Sequence, residues 1–369
     1  MTSHECVIDI GSASVGVCML EKGKAQPVVS KTVRTSISSG TETAKTAIAE
    51  LTVQAVQKSL ESFVKTAPPQ FVRVVLASPW YDAKIRTITT KSERPVRVTA
   101  DTVIRTIKQY FAQKNETTPA GRTLLESIVS QAYVNGYPTA LQQPLLGTAL
   151  RVNHYTSEAD TQFTDQILAA VKKAFPNAKI TFHSFAFVAF AVLRALRDEN
   201  NFVLLDVGGE ITDVGVAHHD GFRFIGTFPV GTLSITRAVA QGGSLADAAS
   251  RLNLYAKNEL SADESAAIGG KFSAATEEWK KNFKTLLETA AEEVAIPQTT
   301  FLFGDTGELK WLENIVSATH GPFSIRSVPV TPDFFQPFVA IDEEAFYDSF
   351  LCVESLYFHR DRERLIEVH

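Results

Sequence analysis

The chain contains the stretch Val7-Ile8-Asp9-Ile10-Gly11-Ser12-Ala13-Ser14 near its N-terminus and repeats it in altered form at Leu204-Leu205-Asp206-Val207-Gly208-Gly209-Glu210-Ile211-Thr212-Asp213. Each copy is an apolar run, an Asp-x-Gly turn with mostly small residues, and a second apolar run. This pattern predicts a β-hairpin with a tight turn and a carboxylate at its mouth. Two such hairpins about 200 residues apart predict a duplicated domain whose turns face one another across a cleft.

The chemistry of the two turns predicts a nucleotide site. Glycine allows backbone N–H groups to approach an anion closely, and the small neighbouring residues keep the turn open. Asp9 and Asp206 would repel a bare phosphate, so we expect a divalent cation between them and the phosphate. A single Asp-Gly turn is common in any β-protein, but two copies with matching flanks indicate a shared site.

The paired turns resemble the two phosphate loops of the actin-like ATPase superfamily, which includes actin, DnaK-type chaperones, sugar kinases and the bacterial proteins FtsA and PilM. Between the turns, the motif order is similar to the small inserted domain of FtsA: a strand, a helix opened by an acidic residue, a strand ending at Asn-Gly, a Pro-φ-Gly turn and a strand. The segment Pro229-Val230-Gly231, with the residues after it, resembles the stretch that follows the second phosphate loop. Over roughly residues 5–240 the chain therefore resembles the FtsA/PilM-like branch, which carries an inserted SHS2 domain.

This resemblance implies an α/β, actin-like two-lobed ATPase fold, built from duplicated ribonuclease-H-like domains with a small inserted α+β domain of SHS2/1C type. The implied division has five parts. They are 1–81, the first lobe with the first phosphate hairpin; 82–181, the inserted domain; 182–201, a hinge helix; 202–335, the second lobe with the second phosphate turn, the adenosine region and a helical subdomain; and 336–369, a C-terminal helix returning to the first lobe.

Local patterns predict the main helices. Residues 184–196, placed on a helix, are apolar on nearly all faces, which is typical of a buried helix. Helical spacing predicts two helices within the insertion, at 101–113 and 162–174, and a final helix over 343–360 with Phe346 on its apolar face.

The resemblance implies that the cleft binds ATP with Mg²⁺. Asp9 and Asp206 are the expected metal ligands, and Gly304 and Gly307 lie where family members carry an adenosine loop. The remaining expected cofactor-binding residues supply backbone N–H groups, hydroxyls or close backbone approach: Gly11, Ser12, Ala13, Ser14, Gly208, Gly209, Thr212 and Gly231.

Two residues are candidates for catalysis. Asp213 stands where some family members position the attacking water, and its alternative role is to close the turn. Glu210 replaces the small residue usual at its position, and a carboxylate beside phosphates either weakens nucleotide binding or contributes to the metal site. At most, we expect a slow ATPase.

Bulk properties exclude several classes of protein. The 369 residues are 44% hydrophobic and 21% charged, which is ordinary for a globular protein with two to four subdomains. A net charge of −5 argues against nucleic acid as the main partner. The N-terminus leads directly into a strand and no apolar run could span a bilayer, so we expect a cytoplasmic protein.

Three classes of function fit these observations. The first is an assembly protein of FtsA/PilM type, in which ATP controls self-association, as a filament or dimer, and the binding of the cytoplasmic tail of a membrane or division protein. Such a protein would lie at the inner face of the cell membrane through its partners. The alternatives are a nucleotide-independent pseudo-ATPase platform and a metabolic phosphotransferase. The inserted domain favours assembly, because sugar kinases lack a module of this kind at this place.

The machine that it serves stays open between cell division and type IV pilus assembly. The inserted motif order favours FtsA. The C-terminal residues 357–369 have few apolar side chains and mixed charge, so they are a poor membrane anchor, and this favours a PilM-like role.

Overall fold

In this computed structural model, the described residues are 4–22, 25–37, 45–64, 66–196, 199–219, 221–319, 321–360 and 366–368. The first lobe and the insertion are built from β1 (His4–Ile10), β2 (Ser14–Glu21), β3 (Val28–Ser36), α1 (Lys45–Glu61), β4 (Phe71–Leu76), β5 (Tyr81–Val98), α2 (Ala100–Lys114), β6 (Arg122–Val134), β7 (Tyr137–Thr139), β8 (Leu145–Asp160), α3 (Thr161–Ala174), β9 (Lys179–Ser184) and α4 (Phe185–Leu196).

The second lobe and the C-terminal segment follow in the same manner. They are built from β10 (Phe202–Val207), β11 (Thr212–His218), β12 (Gly221–Phe228), α5 (Thr232–Ala240), α6 (Leu245–Ala256), α7 (Ala262–Ala291), β13 (Thr299–Phe303), α8 (Leu309–Ser317), β14 (Arg326–Pro329), β15 (Ala340–Ile341), α9 (Ser349–His359) and β16 (Ile366–Glu367).

Two sheets repeat one topology. The first has the strand order β15-β3-β2-β1-β4-β9, and the second has the order β12-β11-β10-β13-β14. In each, the strand before the Asp-x-Gly turn pairs antiparallel with the strand after it and parallel with a later strand. The predicted duplication and two-lobed α/β class are therefore confirmed.

Both repeated hairpins begin on a central strand that is buried along almost its whole length. Strands with helices on both faces read as continuous apolar runs, which is the sequence pattern before each Asp. The turns themselves have matching geometry, because the N–H of Gly11 donates to the Ser14 carbonyl at 3.0 Å and the N–H of Gly208 donates to the Ile211 carbonyl at 3.0 Å.

A third sheet has the order β16-β6-β8-β5, with β7 paired to β6. Its strands β5 to β8 lie between β4 and α3 in the sequence, over Tyr81 to Asp160, and β16 from the C-terminal segment pairs with β6 at its edge. The helix α2 buries Val103 and Ile107 against this sheet. The helix α3 packs against α1, and β9 pairs with β4 in the first sheet, so these two elements belong to the first lobe by contact. The division at 82–181 stays a prediction.

The helix α4 connects β9 of the first sheet with β10 of the second and is buried along most of its length. It packs against α9, which is shorter than the predicted helix over 343–360. The prediction was wrong at the N-terminal end: Asp348 caps α9 by accepting the N–H groups of Phe350 and Leu351, and Phe346 lies before the helix, 48% exposed. Among the described residues, no helix is long and apolar enough to cross a bilayer.

Candidate functional site

A cavity of about 430 Å³ lies between the two lobes, within the usual size range of ligand pockets. Both Asp-x-Gly turns line it, together with the loop after β13 and the segment before α9. The structure thus brings nine of the predicted residues to one cavity: Asp9, Gly11, Ser12, Ala13, Ser14, Asp206, Gly208, Gly209 and Gly304.

The first turn is held by an arginine that crosses three strands. Asp9 lies opposite Gly16, and Gly16 lies opposite Arg34, so the three residues form a row across β1, β2 and β3. The Nη2 atom of Arg34 donates to Oδ2 of Asp9 at 2.8 Å, and Nη1 donates to the Ser14 hydroxyl at 2.8 Å. Burial raises the pKa of Asp9 to about 6, against the opposing effect of Arg34.

The row of Asp9, Gly16 and Arg34 across the three strands requires glycine at its central position. A Cβ atom on Gly16 would lie 2.6 Å from Nη2 of Arg34. Arg34 also makes a two-bond ion pair with Asp348, from Nε to Oδ2 at 2.5 Å and from Nη2 to Oδ1 at 2.9 Å. The guanidinium therefore joins the first turn to the N-terminus of α9.

Among the described residues, no cation is paired with the carboxylate of the second turn, Asp206. The Oδ1 atom of Asp206 is buried and has no hydrogen-bond partner among the described residues. Burial raises the pKa of Asp206 well above its usual range, and the neighbouring Asp213 and Asp9 raise it further.

The two turns touch each other. The N–H of Glu210 donates to the Ser12 hydroxyl at 3.1 Å, and a Cβ atom on Gly209 would lie 2.8 Å from the Ala13 Cβ. The N–H groups of Ser12, Ala13 and Gly209 have no hydrogen-bond partner within the described part of the chain. Three backbone donors are thus left for a ligand at the place where the turns meet.

Glu210 lies outside the residues that line the cavity. Its carboxylate makes a two-bond ion pair with Arg237 of α5, at 2.8 and 2.5 Å. The charge of Glu210 is therefore paired with Arg237 outside the cavity, and its predicted role in catalysis stays a prediction.

Asp213 faces a neighbouring cavity of about 570 Å³ between the inserted sheet and the second lobe. Both of its oxygens accept the Ser78 hydroxyl at 2.8 Å, and Oδ2 also accepts the Tyr81 hydroxyl at 3.2 Å. Burial raises the pKa of Asp213 to about 6, and these hydrogen bonds oppose the shift. The contacts tie the two lobes together.

Three further predicted residues support the cleft from outside its lining. The Thr212 hydroxyl donates to the Val230 carbonyl at 2.7 Å and accepts Nε1 of Trp279 at 2.9 Å, so it connects β11 to α7. Gly231 packs behind the second turn, where a Cβ atom would lie 2.3 Å from the Gly208 carbonyl oxygen. The N–H of Gly307 donates to Asp305.

Comparison with known proteins agrees with this architecture. No family model and no curated protein matches the sequence. A solved structure described as the PilM-PilN type IV pilus biogenesis complex matches with a TM-score of 0.68 and 16% identity, over 96% of this chain and 97% of the other. The chain has an actin-like ATPase fold.

Two other similar structures are more distant. One is a Bacteroides thetaiotaomicron protein with an actin-like ATPase fold and unknown function, with 8% identity, a TM-score of 0.44 and 96% of each chain covered. The other is the ethanolamine utilization protein EutJ from Carboxydothermus hydrogenoformans, with 10% identity, a TM-score of 0.45, and 97% of this chain and 90% of that chain covered.

The actin-like cleft fits the two expected cofactors unequally. Three unpaired N–H groups suit the phosphates of a nucleotide. The two expected metal ligands differ: the carboxylate of Asp9 already has the Arg34 guanidinium at 2.8 Å, whereas Oδ1 of Asp206 is buried and has no hydrogen-bond partner among the described residues. No group of three or more His, Cys, Asp or Glu residues in the described ranges is arranged to hold a metal ion.

Sequence reasoning missed Arg34, Asp348 and Ser78. Arg34 could be found only by aligning β1, β2 and β3 in register, which shows that a glycine separates it from Asp9. Asp348 and Ser78 are far from either turn in the sequence and carry no motif.

Proposed function

We propose that this chain is an actin-like assembly protein that binds ATP in the cleft between its lobes and thereby controls self-association and partner binding. The observation that carries the proposal is that both Asp-x-Gly turns line one cavity and meet there through Ser12 and Glu210. A ligand held by N–H groups from both turns would bind the two lobes together, so its presence would bias the angle between them.

Type IV pilus assembly is the machine that we favour over cell division. The similar structure is a complex of PilM with PilN, and the similarity extends over almost the whole of both chains. By analogy, the partner of this chain is the cytoplasmic tail of a membrane protein, which would hold it at the inner face of the membrane. Nucleic acid is not among the proposed partners.

A contact surface is available at the tip of the inserted sheet, which we define as Val96, Tyr137, Leu145 and Leu146. Tyr137 is 77% and Leu146 is 72% exposed. Leu145 lies opposite Val98, and Val96 lies opposite Gly147, so Val96 and Leu145 share one face of the β5–β8 ladder while Leu146, opposite Arg97, lies on the other face. Clustered exposed apolar side chains mark interaction sites more often than scattered ones do.

We expect little turnover from this cleft. Hydrolysis needs a group that orients the attacking water. Asp213 is engaged by Ser78 and Tyr81, and Glu210 is engaged by Arg237, so neither candidate has a free carboxylate. Nucleotide would therefore act mainly as a bound ligand.

Sedimentation of the wild type with and without ATP tests the proposal, beside the double variant Tyr137→Ser/Leu146→Ser. We expect ATP to change the sedimentation of the wild type or its capture of a PilN-type cytoplasmic peptide, and the tip variant to lose this response while it retains ATP binding. Leu124→Ser is the matched control, since Leu124 is 46% exposed at the other end of the same sheet.

Two results would contradict the proposal. If the wild type binds no ATP, the cleft is not a nucleotide site and the chain is a nucleotide-independent platform. If the wild type binds ATP, stays monomeric, captures no peptide and phosphorylates a small metabolite, the assembly role is wrong.

A further inference from the structure

The segment before α9 leaves one large apolar side chain on the cleft. Phe346 lines the cavity and is 48% exposed, whereas the neighbouring Tyr347 and Phe350 pack against the core of the first lobe. The backbone of Phe346 is fixed, because the Thr32 hydroxyl donates to its carbonyl at 3.4 Å and Asp348 caps α9 two residues later. A single exposed apolar residue on an open surface needs no explanation, but this one faces a ligand-sized cavity.

Phe346 also lies close to the first turn. Arg34 makes two bonds to Asp348, and its guanidinium donates at 2.8 Å to both Asp9 and Ser14. Two residues of chain span at most about 7 Å, so the backbone of Phe346 lies within this distance of the backbone of Asp348. One arginine side chain therefore separates the first turn from the segment that carries the exposed ring, and a nucleoside whose phosphates lie at the turn can reach that ring.

The loop after β13, where the sequence predicts an adenosine site, offers a base less. Asp305 and Glu308 bring two carboxyl groups to that end of the cavity. The glycines of the loop have internal reasons for their small size: a Cβ atom on Gly304 would lie 2.7 Å from a terminal methyl carbon of Leu312, and the N–H of Gly307 donates to Asp305. An apolar, planar ligand group is better matched by the other end of the cleft.

We propose that the base of the bound nucleotide stacks on the ring of Phe346, at the end of the cleft formed by the segment before α9. The inference rests on the proposed nucleotide function and names the residue that receives the base. Aromatic rings and bases attract one another face to face, and every base has such a face. The contact therefore favours nucleotides over inorganic polyphosphates and treats ATP and GTP alike.

The test is a calorimetric titration of the full chain with ATP and with inorganic tripolyphosphate, both in excess Mg²⁺. We expect wild-type protein to bind ATP about tenfold or more tightly than tripolyphosphate. Phe346→Ser should weaken ATP binding by about tenfold and leave tripolyphosphate binding unchanged within about twofold, because only ATP carries a base. Phe346→Trp keeps an aromatic face and should retain the affinity for ATP.

Fluorescence of Phe346→Trp provides a readout that is independent of affinity. A base stacked on the new indole quenches its emission, so ATP should quench this variant more than wild-type protein, and tripolyphosphate should not. Val64→Ser is the matched control. Val64 is 58% exposed just after α1 and is not among the described residues that line the cleft, so its loss should leave ATP binding unchanged.

The outcomes separate the two proposals. Unchanged ATP affinity in Phe346→Ser, or ATP that does not quench Phe346→Trp, overturns the role of Phe346 and leaves the nucleotide function intact. Equal weakening of ATP and tripolyphosphate in Phe346→Ser also overturns it, because stacking acts on the base alone. If Glu308→Gln weakens ATP binding and Phe346→Ser does not, the base lies at the loop after β13. Wild-type protein that binds neither ligand overturns both proposals.

A folding defect does not remove the test. If Phe346→Ser fails to fold, the fluorescence of Phe346→Trp and the preference of wild-type protein for ATP over tripolyphosphate still decide. Equal wild-type affinity for the two ligands means that the base makes no favourable contact, which contradicts the proposal.

Discussion

The two Asp-x-Gly turns are alike in sequence and in local geometry, but different forces hold them. The second turn is supported by backbone: the N–H groups of Thr232 and Leu233 donate to the carbonyls of Gly208 and Gly209 at 2.9 and 2.8 Å, and Gly231 packs against both. The first turn accepts one such backbone bond, from the N–H of Ile37 to the Ala13 carbonyl at 2.7 Å, and most of its other support comes from side chains. The comparison teaches that one sequence pattern can be fixed either by close backbone packing or by a charge network.

At the first turn, Nε1 of Trp80 donates to the Gly11 carbonyl at 2.9 Å, and Arg34 bonds both Ser14 and Asp9. The carboxylate of the first turn therefore has a cation, and Asp206 of the second turn has no hydrogen-bond partner at Oδ1 within the described residues. Three pairs of matched substitutions can break or sharpen this difference.

The largest effect is expected from glycine replacement. Gly231→Ala would place a Cβ atom 2.3 Å from one backbone oxygen and 2.5 Å from another, so it should lower the free energy of unfolding by about 3 kcal/mol or more. Gly11→Ala, whose Cβ atom would lie 3.4 Å from the Ser14 carbonyl oxygen, should cost about 1 kcal/mol or less. Urea unfolding measures both. Equal costs would show that the second turn is not held by close backbone packing.

The next pair removes the arginine near each turn. Arg34→Met leaves Asp9 and Asp348 buried without their cation and should destabilise the fold by about 3 kcal/mol. Arg237→Met removes the partner of Glu210, whose side chain is 15% exposed, and should cost about 1 kcal/mol. Thermal and urea unfolding of the two variants under one buffer condition give the comparison. If Arg237→Met loses more stability than Arg34→Met, the ion pair near the second turn contributes more than the one at the first turn, which contradicts this comparison.

The smallest effects are expected at the two aspartates themselves. Asp9→Asn weakens a charged hydrogen bond to Arg34 and should lower stability by about 2 kcal/mol. Asp206→Asn removes a buried charge near Asp9 and Asp213, and Oδ1 of Asp206 has no hydrogen-bond partner among the described residues, so stability should be unchanged or higher by about 1 kcal/mol. A marked loss of stability in Asp206→Asn would mean that Asp206 has a stabilising contact.

Much of the fold was predictable because its signals are local. The apolar run and Asp-x-Gly turn recur within about ten residues at each copy, and α4 is apolar on nearly all sides, so these elements follow from short-range pattern. The start of α9 was missed, because the cap at Asp348 competes with an apolar pattern that continues through Phe346.

The site was predictable only in part, because only some of its contacts are between residues close in the sequence. The residues of the two turns are contiguous in sequence, and nine of the predicted residues do line one cavity. The contacts that decide its charge join distant segments: Arg34 with Asp9 and Asp348, and Ser78 with Asp213. Such pairs depend on strand register and on how the lobes meet, and no single stretch of sequence encodes either.

Hydrogen exchange with and without saturating ATP tests most directly whether the two turns form one nucleotide site. Ligand binding across both turns should protect amides in both lobes together, because Ser12, Ala13 and Gly209 line the same cavity. We predict that residues 11–14 and 207–210 both exchange more slowly with ATP, while residues 135–147 at the tip do not change in the monomer. Unchanged exchange at both turns, or protection at only one of them, would contradict the account.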